Sequence, residues 1–296
     1  MAGDCAQSVQ CAMTSSPLVD AQTLHLRHDD PSWIVVDCRF NLLEPSAGRA
    51  AYSKGHIPGA RYADLDRDLA RRPSPAEGRH PLPSPADFAA KLGEWGIGEH
   101  DTVVAYDEGS GAIAARLWWL LGWLGHPRRA VLDGGFAAWQ GEALPIETET
   151  PNWRLKRYPP RQVGEASVVG TAELVPHQVA GHLLVDARAA PRYRGEQEPI
   201  DPVAGHVPGA RNRPFSSNVT SAGRFRPATE LNGELRALLG DRQPDQLIAM
   251  CGSGVTACHL LLAMAVAGLD GGKLFAGSWS EWIRDPARPT KTGAEP

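Results

Sequence analysis

Cysteine is scarce in this 296-residue chain: five residues, at positions 5, 11, 38, 251 and 258, an odd number with no C-x-x-C pair. That spacing excludes a disulfide framework and the usual zinc patterns, so neither a metal nor a cofactor is expected, and any working cysteine acts as a thiol. A basic surplus is missing too. Lys and Arg total 30 against 34 Asp and Glu, a net charge of −4, which argues against a nucleic-acid partner. The longest nearly uncharged apolar run, Leu260 to Leu269, is about ten residues against the roughly 20 that cross a bilayer, so no membrane partner is expected. Between Met1 and Asp30, Arg27 is the one Lys or Arg, and no apolar stretch precedes a small-residue cleavage site. The expectation is a cytoplasmic protein whose residues 1–17 form a disordered tail.

What is present is ordinary globular composition, 42% hydrophobic and 22% charged, with 31 glycines and 25 prolines that promise many turns. The length suggests about two domains. An internal repeat turns that prior into a duplication. Gly55-His-Ile-Pro-Gly-Ala-Arg61 returns as Gly205-His-Val-Pro-Gly-Ala-Arg211, and Ile34-Val-Val-Asp-Cys-Arg39 as Leu183-Leu-Val-Asp-Ala-Arg188. Thr102 to Asp107 matches Gln246 to Cys251, and Leu132 to Trp139 matches Phe275 to Trp282, in the same order and with offsets between 143 and 150. A domain over 18–145 and a second over 166–288 follow. Between them, 146–165 reads as a linker crossing the surface, since Pro151, Pro159 and Pro160 hold their predecessors extended and no apolar periodicity appears.

Within each domain, short apolar β-rich runs (Trp33–Val36, Thr102–Tyr106, Leu183–Val185, Leu247–Met250) alternate with longer helical patterns (Pro85–Trp95, Ala112–Leu124, Thr229–Leu239, Val255–Ala267). That alternation predicts an α/β fold made twice, each copy a parallel sheet flanked by helices. Trp118, Trp119, Trp123, Trp139, Trp279 and Trp282 fall at repeat positions and helical spacings that suit core anchors rather than a ligand platform. Arg39 and Arg188, each two residues past a strand-end aspartate, suit a role in tying the sheet edge to a loop.

Ligands of open parallel sheets bind outside the carboxyl ends of strands, and Cys251-Gly-Ser-Gly-Val-Thr-Ala257 stands there. Gly252 and Gly254 permit a curled loop whose amides converge, and a helix starting near Val255 adds the positive end of its dipole. A cysteine so placed is biased toward thiolate. The alternative, a small buried structural thiol, is the common fate of a lone cysteine. The first domain has Asp107 at the corresponding place, so cysteine chemistry belongs to the second domain alone. Cys258, about two turns into the helix, is expected to be buried and inert.

The doubled G-H-[IV]-P-G-A turn, the paired Asp-x-Arg strand ends and the Cys-Gly-Ser-Gly-Val-Thr loop resemble the two-domain rhodanese-like sulfurtransferases, from about Leu18 to Asp285, and the loop is most like that of the 3-mercaptopyruvate sulfurtransferases among them. The resemblance implies a sulfur relay. Cys251 takes sulfur from a small-molecule donor, 3-mercaptopyruvate or thiosulfate, as a persulfide cradled by Gly252, Gly254, Val255 and Thr256. It then passes the sulfur to a small thiol, cyanide or a thioredoxin-like protein. The resemblance assigns proton transfer to Ser253 and onward to the histidine of the first G-H-x-P-G-A, His56, and an upstream aspartate, although between Arg39 and His56 the acidic residue present is Glu44. His206 at the same place of the second repeat favours a shared loop-pinning role for both histidines. Arg192 matches the family's carboxylate clamp, and arginine's planar fork suits that task. Mercaptopyruvate members commonly carry another arginine about nine residues on, where this chain has Ile200-Asp201-Pro202. The neutral Gly252 and Ser253 suit a singly charged donor better than dianionic thiosulfate.

Two other classes fit these residues less well. A cysteine phosphatase needs Cys-x5-Arg to neutralise a phosphoryl group, and position 257 is alanine. A binding module with a vestigial cysteine would have let the glycines, Ser253 and Thr256 of the loop decay.

Overall fold

The computed structural model describes residues 16–159, 163 and 167–296. Cys5, Cys11, nearly all of the expected tail and most of the end of the expected linker (160–165) lie outside the described residues. Two all-parallel sheets organise the chain. The first contains β1 (Leu18–Val19), β2 (Trp33–Asp37), β3 (Arg61–Tyr62), β4 (Thr102–Tyr106) and β5 (Arg129–Leu132) in the order β1-β5-β4-β2-β3. The second contains β6 (Leu183–Asp186), β7 (Arg211–Asn212), β8 (Leu247–Met250) and β9 (Lys273–Leu274) in the order β7-β6-β8-β9. Matching β2, β3, β4 and β5 to β6, β7, β8 and β9 makes the two orders the same. The counterpart of β1 has shrunk to one parallel bridge, Val168 to Leu274.

The strands are nearly continuous apolar runs because helices cover both faces of each sheet. Val103 to Tyr106 and Leu247 to Met250 are fully buried. Helices Pro85–Glu94 and Ala114–Trp123 fill the crossovers around β4, and Ala228–Leu239 and Thr256–Val266 do so around β8. Ser84 begins the first of these by accepting the Asp87 N–H at 3.1 Å, with proline at the helix start. Helices Ala114–Trp123 and Thr256–Val266 pack against each other, so one apolar cluster runs from Val103 and Leu117 through Ala257 and Leu260 to Leu235. The two sheets therefore share a core across their junction. Of the six tryptophans, Trp139 and Trp279 are fully buried and Trp118, Trp119 and Trp282 nearly so, while Trp123 is half-buried.

The Asp-x-Arg repeats do the same work twice. Arg39 forks onto Asp37 (Nη2 to Oδ2 2.6 Å) and donates to the Gly55 carbonyl at 2.7 Å; Arg188 forks onto Asp186 (2.6 Å) and donates to the Gly205 carbonyl at 2.7 Å. Each pair clips a strand end to the G-H-x-P-G-A turn of its own half.

The stretch after Ile146 runs over the first half without regular structure. His56 and Glu147 exchange backbone hydrogen bonds, the Lys156 N–H reaches the Gly93 carbonyl at 3.0 Å, and the Trp153 indole reaches the Glu94 carbonyl at 2.7 Å.

Each half also lends a loop to the other. From the first, the Gly78 N–H reaches Glu281 and the Arg79 N–H reaches Ser280 Oγ at 3.1 Å. From the second, Arg224 pairs with Glu142 at 3.3 Å and the Phe225 N–H reaches Asp133 Oδ1 at 2.7 Å. The crossed contacts continue in the packed helices, where Arg116 donates to the Gly254 carbonyl (3.2 Å) and His259 Nε2 to the Ser110 carbonyl (2.9 Å). The duplication thus closes as an approximate twofold.

Candidate active site

Between β6 and β8 the chain reverses its direction of travel across the sheet, since β7 lies outside β6 and β9 outside β8. The carboxyl ends of strands at such a reversal leave a crevice. Cys251 is the first residue past β8 there. Its thiol is buried, with 2% of the residue exposed, and Sγ accepts the Gly254 N–H at 3.2 Å. Ser278 Oγ accepts the Cys251 N–H at 3.0 Å, and the Trp279 and Ser280 N–H groups cap the carbonyls of Cys251 and Gly252. Ser253 and Val255 N–H have no acceptor among the described residues, and Thr256 opens the helix Thr256–Val266 behind them. Gly254 has φ of +77°, and a Cβ there would come 2.4 Å from the Ala276 carbonyl oxygen, so no other residue closes this loop.

Asp107 shows what the loop holds. In the first half its carboxylate occupies the same curl and accepts four backbone N–H groups, from Gly109 (3.1 Å), Gly111 (2.9 Å), Ile113 (2.8 Å) and Ala114 (3.2 Å). The loop is a cradle for a negative group, and the first half fills it with its own side chain. In the second half Cys251 Sγ takes the Gly254 N–H, and the Ser253 and Val255 N–H groups stay without an acceptor among the described residues.

Ser253 meets a histidine, but not the one the resemblance pointed to. His56 faces its own half: Nδ1 lies 2.8 Å from the Tyr52 carbonyl, Nε2 3.4 Å from Glu147, and the ring stacks on Tyr52 at 3.9 Å. His206 repeats this, with Nδ1 2.8 Å from the Tyr193 carbonyl and its ring 3.8 Å above Tyr193. Both histidines pin the G-H-x-P-G-A turns. His56 therefore leaves the candidate site, and Glu44 has no place in a relay through it.

The partner of Ser253 is His80, on the loop lent by the first half. Its Nδ1 is 2.7 Å from Ser253 Oγ and its Nε2 is 3.0 Å from Asp66 Oδ1. A carboxylate only accepts, so Nε2 carries the proton and Nδ1 accepts from the serine hydroxyl. Burial, with Arg116 and Arg79 nearby, pushes the His80 pKa down to about 3, so at neutral pH the ring is uncharged. Burial also raises the Asp66 carboxyl. Arg116, fully buried, locks this arrangement by donating to three carbonyls, those of Leu69 (3.3 Å), Gly254 (3.2 Å) and His80 (3.0 Å). It ties the relay segment to the cysteine loop.

Two guanidinium groups stand over the loop. A Cβ built on Gly252 would lie 2.9 Å from Arg79 Nη2 and 3.6 Å from Arg192 Nη1. Arg192, at the end of the short helix Ala190–Tyr193, pairs with Glu198 (2.6 Å) and Asp201 (3.2 Å); Arg79 pairs with Asp201 from the other side. Arg192 and Arg79 thus stand on either side of Asp201 beside Gly252. Cys258 is buried, its Sγ–H directed at the Gly254 carbonyl (3.2 Å) and its thiol pushed up to about 12 by burial. It is held protonated.

Sequence reasoning missed Asp66, Arg79, His80 and Arg116. The signal available was a Gly-Arg-His-Pro run inside the long stretch between β3 and the next helix, following the Asp64, Asp66 and Asp68 cluster.

The rhodanese-like domain family matches residues 20–142 and again 172–285. The chain belongs to this family. A Pseudomonas aeruginosa protein named "Probable 3-mercaptopyruvate sulfurtransferase" is 49% identical over 285 residues, covering 95% of this chain and all of the relative. The rat thiosulfate sulfurtransferase is 36% identical over 270 residues, 86% of either chain. Among solved structures, the 3-mercaptopyruvate sulfurtransferase from Leishmania major superposes with a TM-score of 0.80 at 29% identity, covering 92% of this chain and 76% of that one. No helix of the described residues is long and apolar enough to cross a membrane.

Proposed function

We propose that this sulfurtransferase takes its sulfur from 3-mercaptopyruvate. The observation that carries the reading is the hydroxyl–imidazole–carboxylate line Ser253–His80–Asp66 ending beside the Cys251 cradle. The Cys251 thiolate attacks the donor sulfur and forms an S–S bond; the C–S bond breaks and its electron pair leaves as the enolate of pyruvate. That enolate needs a proton. The donor's own S–H supplies it: the proton passes through the Ser253 hydroxyl to the unprotonated Nδ1 of His80, whose other nitrogen is held by Asp66, and returns through Ser253 to the enolate carbon, leaving an ionised persulfide on Cys251. Arg192 and Arg79 receive the donor carboxylate. An acceptor thiolate or cyanide then attacks the outer sulfur and releases the Cys251 thiolate, so Cys251, Ser253 and Arg192, with the loop residues Gly252, Gly254, Val255 and Thr256, form the working set. The division into 18–145, 146–165 and 166–288 gives the chemistry to the last unit and the relay to the first. Free thiols at Cys38, Cys251 and Cys258 suit a reducing compartment such as the cytoplasm.

Incubation with 3-mercaptopyruvate should release pyruvate and add one sulfur to Cys251 by intact-protein mass, and Cys251→Ser should lose both; full turnover by that variant would remove Cys251 as the nucleophile. Two guanidinium groups at the mouth also favour thiosulfate as a second reading. The leaving group is then sulfite, which needs no proton, so Ser253→Ala separates the two donors: it should slow mercaptopyruvate turnover far more than thiosulfate turnover.

A further inference from the structure

The two guanidinium groups over Gly252 come from different halves of the molecule, and one buried carboxylate joins them. Asp201 Oδ1 pairs with Arg79 Nη1, and Asp201 Oδ2 accepts from Arg192 Nη2 at 3.2 Å. The Asp201 side chain is 3% exposed, and its own N–H is given to Glu198 Oε1 at 3.1 Å. Glu198 in turn takes Arg192 (2.6 Å) and Arg188 (3.4 Å), and Arg188 takes Asp186. The cluster is three arginines against three carboxylates, so its formal charge is zero before any donor arrives. Hydrogen-bonding capacity is nevertheless left over, because Arg79 Nη2 and Arg192 Nη1, the guanidinium atoms nearest Gly252, have no acceptor among the described residues. The cleft thus offers donors to an anion without offering net positive charge.

We propose that Asp201 is a specificity-determining residue: by sharing its carboxylate between Arg79 and Arg192 it fixes their spacing and cancels their charge, so the cleft prefers a singly charged thiol carboxylate to doubly charged thiosulfate. This rests on the sulfurtransferase reading above and adds the basis of donor choice. A singly charged donor uses the spare N–H groups while adding one negative charge beside the mostly buried Asp201, Arg192 and Arg79 side chains. A dianion adds two beside a buried carboxylate, and that difference is large where water is excluded.

The test is the ratio of kcat/KM for thiosulfate to kcat/KM for 3-mercaptopyruvate, measured on the full chain with cyanide as acceptor. Asp201→Asn should raise that ratio about tenfold, less so at high salt, because one repulsive charge is gone. Asp201→Glu keeps the charge and should leave the ratio within about threefold of the parent. A loss of general activity through loosened packing would lower both numbers together, so the ratio isolates the charge. An unchanged ratio in Asp201→Asn, with Cys251 still taking sulfur from mercaptopyruvate, overturns the proposal and leaves the donor reading standing. Failure of the parent protein to take sulfur from mercaptopyruvate overturns the donor reading itself. Should Asp201→Asn fail to fold, the parent decides through competitive inhibition of mercaptopyruvate turnover: pyruvate should bind more tightly than sulfate, and tighter binding by sulfate overturns the assignment.

Discussion

His80 carries a pKa of about 3 because it is buried between a hydroxyl and a carboxylate with two arginines close by. A neutral imidazole can accept the Ser253 proton, whereas an imidazolium cannot. His80→Asn keeps a polar group near Ser253 but cannot shuttle a proton, and it should lower kcat/KM for mercaptopyruvate by about 10²–10⁴-fold, the usual span for general acid–base catalysis. Sulfur loading of Cys251 from thiosulfate should change much less, and an equal loss with both donors would mean that His80 only holds the loop. Asp107 makes a complementary case. Its carboxylate satisfies four loop amides, and Asp107→Ala strands them near the junction of the halves. Urea unfolding should show a loss of about 2–4 kcal/mol, the scale for orphaning buried donors of a charged acceptor.

At the scale of elements, strand ends and the loops after them set the two halves apart. β4 and β8 have corresponding neighbours, but the loop after β4 (107–113) is two residues longer than the loop after β8 (251–255), and the longer one closes on its own aspartate while the shorter one curls around a thiol. Gly254 is the hinge of that shorter loop. Gly254→Ala would put a methyl group 2.4 Å from the Ala276 carbonyl oxygen at a φ of +77°. Backbone must move, and the strain is on the order of 1–3 kcal/mol. Sulfur transfer should collapse while the circular dichroism spectrum stays close to that of the parent, because both sheets lie outside the loop. A variant with parental turnover would show that the cradle tolerates a different shape.

The whole molecule is two copies that exchange loops, and its stability should carry that signature in pH. His80 is buried at the junction with a pKa of about 3, and His259, reaching across to Ser110, is lowered to about 4, chiefly by burial. Unfolded, both would titrate near 6.5. Lowered folded values mean that the unfolded chain binds these protons first, so their contribution is fully present above about 6.5 and is lost as pH falls toward about 4 and then 3. Each histidine should contribute a slope of roughly 1.4 kcal/mol per pH unit across its window. The urea midpoint should fall between pH 7 and pH 5, and less steeply in His80→Asn; a flat profile would show that neither ring is held neutral.

The amino-acid sequence by itself determined the duplication, the parallel α/β class, and the Cys251 loop with Asp107 at the matching place, because each is local: apolar strands, a glycine-marked turn and a motif that repeats at a nearly constant offset. The Asp-x-Arg clips and the pinning role of His56 and His206 were legible for the same reason, since both halves carry them in register. The relay and the anion clamp were decided only by tertiary structure. Asp66, Arg79, His80 and Arg116 are more than 130 residues from Cys251 in the chain, the first three on a stretch with no periodic pattern and Arg116 on a helix whose pattern does not say what it faces, and they reach it because the two halves dock through exchanged loops around a common core. A motif match sought the histidine in the repeated turn. Packing across the junction supplied one from outside it.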